Sequence, residues 1–462
     1  MGNMLDEPEI DRESSARLSL FHRKATASPL ALLLDSLSYF GGKIVPGLMG
    51  LISVPIFIRV LGLEQYGRFA VFVPFLMAVA GASSGWLAQG VLRFHPVSTD
   101  PPERHHAFDR AVTKCTIASV AVTAIASAAL LTGLRYSMLD SLASLAFCLS
   151  LLTYTVKLSK LQAQLHPVAV LQREIVRSVG CFIFPLMLVI ITGRKQFELL
   201  LLGQALAYAC AFLPLYGRKA ETNELPANLP EQIPTASFST SGISRQLWHF
   251  GWAVGLWLLL SQVLPVIDRW AIQRFAGFAS AGVYASLYEI AIRSFSFLVF
   301  PLTQAAHPRI MRAWNEGRFA ASYRIIRYSV LTQLIIFATV LGGVFLLAPR
   351  ITGLILGFND PTAARMLPVL LVGGFLWQLA LLLHKPLEIA HRTVAMLAAM
   401  AAVVALNVIS CFLFIPLYGY QAAGYILVAS ACSYIALILC MTRFRAFRGY
   451  SPLPQPCGEF SD

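Results

Sequence analysis

The sequence predicts an all-α polytopic integral membrane protein of about twelve transmembrane helices in two six-helix lobes. Of its 462 residues, 57% are hydrophobic and only 13% charged, where soluble proteins carry roughly 45–50% apolar and about 25% charged residues. The apolar residues fall in runs bounded by charge or turn residues, each near the roughly 20 residues that a helix needs to cross hydrocarbon. Connections between runs are short, so no large soluble domain fits between them.

Residues 1–29 read as a cytoplasmic N-terminal tail, and Asp6, Glu7, Asp11 and Glu13 set it apart from an acid-poor transit peptide. Six spans at about 30–58, 69–92, 115–134, 139–159, 176–193 and 197–216 make an N-terminal lobe, 30–216. Residues 217–246 carry Pro226, Pro230 and Pro234 among Asn, Thr and Ser, the composition of a cytoplasmic linker. Spans at about 247–267, 280–302, 328–348, 364–383, 393–415 and 421–442 make a C-terminal lobe, 247–442, followed by a cytoplasmic tail, 443–462.

Lys and Arg are retained on the cytoplasmic side of short loops. With both termini inside, cytoplasmic segments carry 25 of the 36 Lys and Arg residues and outer segments carry nine. The formal charge of +13 is thereby explained by topology, and nucleic acid is not needed as a partner. The two remaining cations, Lys43 and Arg293, fall inside apolar spans.

The halves carry a parallel repeat. Pro55-Ile-Phe-Ile-Arg59 precedes a turn with Gly62, Tyr66 and Gly67, and Pro265-Val-Ile-Asp-Arg269 precedes one with Gly277, Gly282 and Tyr284. Six crossings separate them, so the lobes are expected to be related by an axis along the membrane normal.

A Lys or Arg at the bilayer centre costs roughly 2.5–3.5 kcal/mol on insertion scales, so it faces a wet cavity or an acidic partner. Lys43, flanked by Gly41, Gly42, Pro46, Gly47 and Gly50, is a candidate substrate-binding cation, the alternative being a structural ion pair. Glu289 and Arg293, four residues apart, share a helix face. They read either as a self-neutralising pair or as a second cavity cation tuned by Glu289, which is also a candidate for coupling to a proton or sodium ion. Arg59, Asp268 and Arg269 at outer span ends are candidate gate or hinge residues.

Other residues take plainer readings. His95, His166 and His307 each precede a proline near a span end, a helix-ending pattern rather than a metal-ligand spacing. Trp248, Trp252 and Trp257 fit an interfacial belt. No CxxC pair, GxxxxGK[ST] loop or metal-ligand cluster occurs, so no metal, cofactor or catalytic set is expected and the protein is not read as an enzyme.

The string "ISVPIFIRVLGLEQYGRFAVFVPFLMAVAGASSG" from Ile52 to Gly85 resembles the first hairpin of bacterial polysaccharide flippases, the Wzx-like branch of the multidrug/oligosaccharidyl-lipid/polysaccharide exporter superfamily. "VIDRWAIQRFAGFASAGVYASLYEIA" (266–291), "IPLYGYQAAGY" (415–425) and "LQAQLHPVAVLQREIVRSV" (161–179) are similar to further pieces of that family. The resemblance implies translocation of a polyprenyl-diphosphate-linked oligosaccharide across the bacterial inner membrane, for lipopolysaccharide, capsule or exopolysaccharide synthesis, by alternating access. It also implies membrane lipids, a polysaccharide polymerase and export proteins as partners. Related lipid II flippases use a cationic cavity with a lateral opening between their first and eighth helices, the helices that here carry Lys43 and Arg293.

Such a cavity suits the chemistry, because a diphosphate and a glycan need a wet cationic path while the prenyl tail stays in lipid. With the inside negative, a charge of roughly −2 moving outward gains about 4.6 kcal/mol per 100 mV if no other charge moves. The alternatives are a cation-coupled multidrug exporter of the same superfamily and a lipid II flippase. Two buried cations argue against the exporter, whose cationic drugs call for acidic cavity residues.

Overall fold

A computed structural model describes residues 29–96, 100–133, 137–164, 166–213, 239–299, parts of 302–313, 318–389 and 392–442. The two tails, most of the expected linker, His307 and Cys457 lie outside the described residues. Among the described residues every regular element is a helix.

Six helices precede the linker: α1 (Pro29–Leu61), α2 (Leu63–Phe94), α3 (Pro102–Gly133), α4 (Met138–Ala163), α5 (Pro167–Thr192) and α6 (Phe197–Cys210). After it, the helix Thr240–Leu298 is broken at Gly277, and its arms, 240–276 and 278–298, are α7 and α8. Then come α9 (Phe319–Leu356), α10 (Pro361–Leu383), a five-residue helix at Lys385–Ile389, α11 (Thr393–Tyr418) and α12 (Gln421–Met441). Nine helices are long and apolar enough to cross a membrane among the described residues. With the broken helix counted as two crossings and the shorter apolar Val45–Leu61 and Phe197–Cys210 added, twelve crossings result.

Local chemistry sets the helix starts. Ser137 and Asp140 form a capping box on α4, which satisfies two otherwise orphaned N–H groups. Asp360 accepts from the N–H groups of Thr362 and Ala363 at 2.8 and 3.2 Å and precedes Pro361, a residue suited to the first helical position. Several helices outrun their apolar spans. The 38 residues of α9 reach about 57 Å at 1.5 Å per residue, so Arg324 and Arg350 sit on helical turns beyond the expected 328–348.

The helices alternate in direction, which gathers the turns at 62, 193–196, 277, 357–360 and 419–420, with the end of α3 and the start of α4, at one end, here the Gly62 end. Arg59 donates to the Leu354 carbonyl at 2.6 Å there, joining α1 to α9. α2 is well enclosed and packs along α7 and α8 of the other half, whereas α9 turns Leu331, Ile335, Phe345 and Leu346 outward.

The repeat has a different register from the sequence reading. Gly62 has φ 85 and ψ 161, and Gly277 has φ 83 and ψ 170, a conformation that only glycine adopts at low cost. Each follows an arginine by three residues, so Arg59 corresponds to Arg274 and the match of Arg59 with Arg269 is corrected. The shared glycine conformation fixes the register, whereas the prolines at 55 and 265 do not.

In this register Leu63 corresponds to Phe278 and Gly67 to Gly282, and the contacts obey the same exchange. A Cβ on Gly67 would collide with the Phe278 carbonyl oxygen, and one on Gly282 would lie 2.6 Å from the Leu63 carbonyl oxygen. The two halves therefore meet through a pseudo-symmetric glycine seam with the local axis running through it.

Gly67→Ala is expected to destabilise the protein by about 1–3 kcal/mol, since its methyl group meets backbone that has nowhere to move. Gly81→Ala on the same helix has open space around it and is expected to be neutral or stabilising by up to about 1 kcal/mol. Thermal unfolding of both variants in detergent checks the opposite signs, and equal shifts contradict the seam.

Candidate functional site

The sequence places Asp268 and Arg269 near a span end, but α7 continues past them to Gly277 and both are buried, at 0% and 2% exposure. Their side chains go separate ways. Arg269 donates to the Glu289 carboxylate at 2.7 Å and to the Ala70 carbonyl of α2 at 3.0 Å, and it lies 5.0 Å from the Tyr288 ring centre. Glu289 also accepts from Arg293 Nε at 3.0 Å. The expected Glu289–Arg293 pair is thus part of a chain, Arg269–Glu289–Arg293, carrying two positive charges to one negative.

This chain lies where the halves meet. Arg269 reaches across to α2, and Tyr66 of α2 lies within electrostatic range of all three charges. On the other side, a Cβ at Gly50 would collide with the Arg293 guanidinium, so glycine lets that guanidinium rest on the backbone of α1. Arg293 keeps 38% of its side chain exposed, against 3% for Arg269. The inner arginine is enclosed between the halves, and the outer one is the more accessible of the two.

Asp268 faces its own half. It accepts from Tyr284 Oη at 3.0 Å, Asn407 Nδ2 at 3.2 Å and Cys411 Sγ at 3.2 Å, and Asn407 also donates to Ser430 Oγ. The carboxylate therefore fastens α7 to α8 and α11 through neutral donors alone.

A third cluster was not singled out in the sequence. Glu174 and Arg177 of α5 pair at 2.6 Å, Tyr154 Oη of α4 donates to Glu174 at 3.0 Å, and the Arg177 guanidinium lies 5.7 Å from the Tyr154 and Tyr208 ring centres. Cys181, one turn along from Arg177, is within electrostatic range of both Arg177 and Arg293, which places the cluster across from the first. The signal was available as Glu and Arg three residues apart after Pro167. With the fifth span starting at 176, Glu174 falls before it and Arg177 counts with the cytoplasmic cations at its edge.

Axial levels tie these groups together. Arg177 lies 15 residues before the end of α5, Arg293 lies 16 past Gly277 and Lys43 lies 18 before the end of α1. At 1.5 Å per residue all three sit about 22–27 Å from the Gly62 end. Lys43 lies on α1, but its side chain is outside the described set. Arg59 lies at the Gly62 end, far from these cations. Among the described residues no group of three His, Cys, Asp or Glu side chains is placed to hold a metal ion.

Removing the middle charge separates structure from access. Glu289→Gln leaves the buried Arg269 without its counter-charge and is expected to cost about 3–5 kcal/mol, whereas Arg293→Met removes an accessible group and is expected to change stability by less than about 1 kcal/mol. Unfolding temperatures of the two variants check this order, and the reverse order contradicts it.

The sequence matches the family described as polysaccharide biosynthesis protein over residues 32–314, more than half of the chain. No curated protein matches it. The fold is similar to that of the lipid II flippase MurJ in an inward closed conformation, with TM-score 0.63, 14% identity and coverage of 90% of this chain and 89% of that one. It is similar as well to an inward-facing multidrug resistance MATE family transporter of the MOP superfamily, with TM-score 0.62, 12% identity and coverage of 87% and 94%. An outward-facing transporter of that description gives TM-score 0.56 at 13% identity, covering 91% and 96%. The chain is a multi-pass membrane protein whose fold is similar to those of these transporters, and it belongs to the polysaccharide biosynthesis protein family.

Proposed function

We propose that this protein flips a polyprenyl-diphosphate-linked oligosaccharide across the bacterial inner membrane by alternating access of its two six-helix lobes. One observation carries the reading. Arg293 is an accessible cation at the junction of α1 and α8, level with Arg177 and Lys43, and a diphosphate is the group that such a set is built to hold. The oligosaccharide fills the space between the lobes, while the prenyl chain stays in lipid through an opening beside α1 and α8.

Both termini are assigned to the cytoplasm, which makes the Gly62 end the outer end and the glycine seam an outer closure. Lys43, Arg177 and Arg293 then sit on the inner side of the bilayer, where the lipid-linked substrate is made. Lys43, Arg293 and Glu289 are the substrate-site residues; Arg59, Asp268 and Arg269 serve the outer gate and the junction. Membrane lipids, a polysaccharide polymerase and export proteins complete the pathway.

A cation-coupled exporter is favoured by one feature, the buried Asp268, which has no cationic partner among its hydrogen bonds. Asp268→Asn distinguishes the readings, because an exporter of cationic drugs loses resistance while a potential-driven flippase retains polymer export.

The main test is polymer export and lipid-linked intermediates in a deletion strain. Wild-type protein restores export, and Lys43→Ala or Arg293→Ala at equal protein level lowers it by roughly tenfold, equivalent to about 1.4 kcal/mol of lost binding. Full export with both variants, or no intermediates in the deletion with redundancy excluded, overturns the proposal.

A further inference from the structure

A groove lies between the last turns of α9 and the first turns of α10, at the Gly62 end and away from the cation set. It holds about 830 Å³, within the roughly 300–1,000 Å³ typical of ligand sites. Residue size explains it. Ala348 and Thr352 of α9 and Ala364 of α10 are buried in its lining, and side chains this short leave space that leucine would fill. Thr352 donates its hydroxyl proton to the Ala348 carbonyl at 2.9 Å, so the lining between the helices is apolar in character. Phe345 and Pro368 continue that apolar lining. Phe345 and the adjacent Leu346 are largely exposed, so the groove borders the surface that meets lipid.

Two arginines edge this apolar space. Arg350 of α9 and Arg365 of α10 both line the groove and are exposed, and among the described residues neither makes an ion pair, a hydrogen bond or a ring contact. Asp360 is the acid in the lining, and both its oxygens are engaged. Oδ1 accepts from the Thr362 and Ala363 N–H groups, and Oδ2 accepts from Tyr420 Oη at 3.2 Å. The groove therefore offers two uncompensated guanidinium groups and no free carboxylate. Depth adds a second constraint. Arg350 lies six residues before the end of α9 and Arg365 four residues past Pro361, about 6–9 Å from the helix ends at 1.5 Å per residue. The headgroup layer of a bilayer is about 5–8 Å thick on each side, so both guanidinium groups reach the level of lipid phosphates.

We propose that the α9–α10 groove binds an anionic glycerophospholipid from the leaflet at the Gly62 end, with its phosphate held by Arg350 and Arg365 and an acyl chain laid along Phe345 and Pro368. Guanidinium groups bind phosphate oxygens through paired N–H donors, and basic pockets between membrane helices suit anionic headgroups. An ethanolamine headgroup brings an ammonium that finds no unengaged carboxylate here, so the site favours a headgroup such as glycerol that adds no positive charge. Asn359, also in the lining, supplies an amide for its hydroxyls. The inference concerns a resident lipid and is independent of which substrate the protein carries.

The experiment titrates the full chain in detergent with dioleoylphosphatidylglycerol, dioleoylphosphatidylethanolamine or inorganic phosphate, and counts bound molecules by native mass spectrometry. In parallel, a phosphatidylglycerol carrying a diazirine in one acyl chain is photocrosslinked to the wild type in nanodiscs and the adducts are mapped. The first phosphatidylglycerol is expected to bind roughly tenfold more tightly than phosphatidylethanolamine, with adducts concentrated around Phe345 and Pro368. Arg350→Gln combined with Arg365→Gln is expected to weaken it by roughly tenfold. Arg194→Gln combined with Lys195→Gln removes two exposed cations at the same end and is expected to change it by less than about twofold. Equal affinity for the two phospholipids, an equal loss in both double variants, or adducts spread evenly over the lipid-facing helices overturns the proposal. Displacement by excess inorganic phosphate would reduce the groove to an anion site, and tighter binding of a polyprenyl diphosphate would reassign it to the substrate lipid; either overturns the proposal as well. The adduct map needs no substitution, so it decides the matter even where a double variant fails to fold.

Discussion

A carboxylate placed between two guanidinium groups, where two helical halves meet away from bulk water, leaves few arrangements open. Glu289 must satisfy Arg269, which is almost fully enclosed, because an unpaired buried charge costs several kcal/mol. Arg269 in turn must find a further acceptor, and takes the Ala70 carbonyl on α2. These two requirements bring α7 and α8 against α2, and Gly50 and Gly67 supply the close approaches that let α1 and α2 stay there. The excess positive charge of the chain emerges on Arg293, the member still open to a partner. In the proposed reading, a structural need and a binding capacity share one carboxylate.

The arrangement also assigns different work to the two ends of the molecule. The Gly62 end is held by backbone-to-backbone packing at Gly67 and Gly282 and by Arg59 reaching the carbonyl of Leu354. Such contacts are short in range, so a small separation of the halves releases them together. The cation set lies about 22–27 Å away. The proposed alternating access, which closes one end while a charged group is held near the other, needs this separation.

Much of this fold was legible in the sequence, because hydrocarbon imposes lengths and bounding charges that soluble proteins lack. Arg293 stood out for the same reason, as a charge inside an apolar run that has to be explained. What escaped the reading was pairing in three dimensions. Asp268 and Arg269 are adjacent in sequence, and nothing in that adjacency tells that one turns toward Asn407 and Cys411 while the other turns toward Glu289 and α2. Glu174 and Arg177 were hidden by a span boundary, since a paired acid and base lower the local apolar density as a loop does. The repeat register was missed because it rests on the shared backbone conformation of Gly62 and Gly277, a property that composition does not reveal.

The central claim is that Arg293 binds the diphosphate while Arg269 holds the fold, and equilibrium binding tests it most directly. A polyprenyl-diphosphate-linked saccharide is titrated against purified protein in nanodiscs, for the wild type, Arg293→Met and Arg293→Lys. The account predicts roughly tenfold or weaker binding for Arg293→Met at unchanged unfolding temperature, with Arg293→Lys intermediate because it keeps the charge and loses the fork. Equal affinity for all three proteins would contradict it.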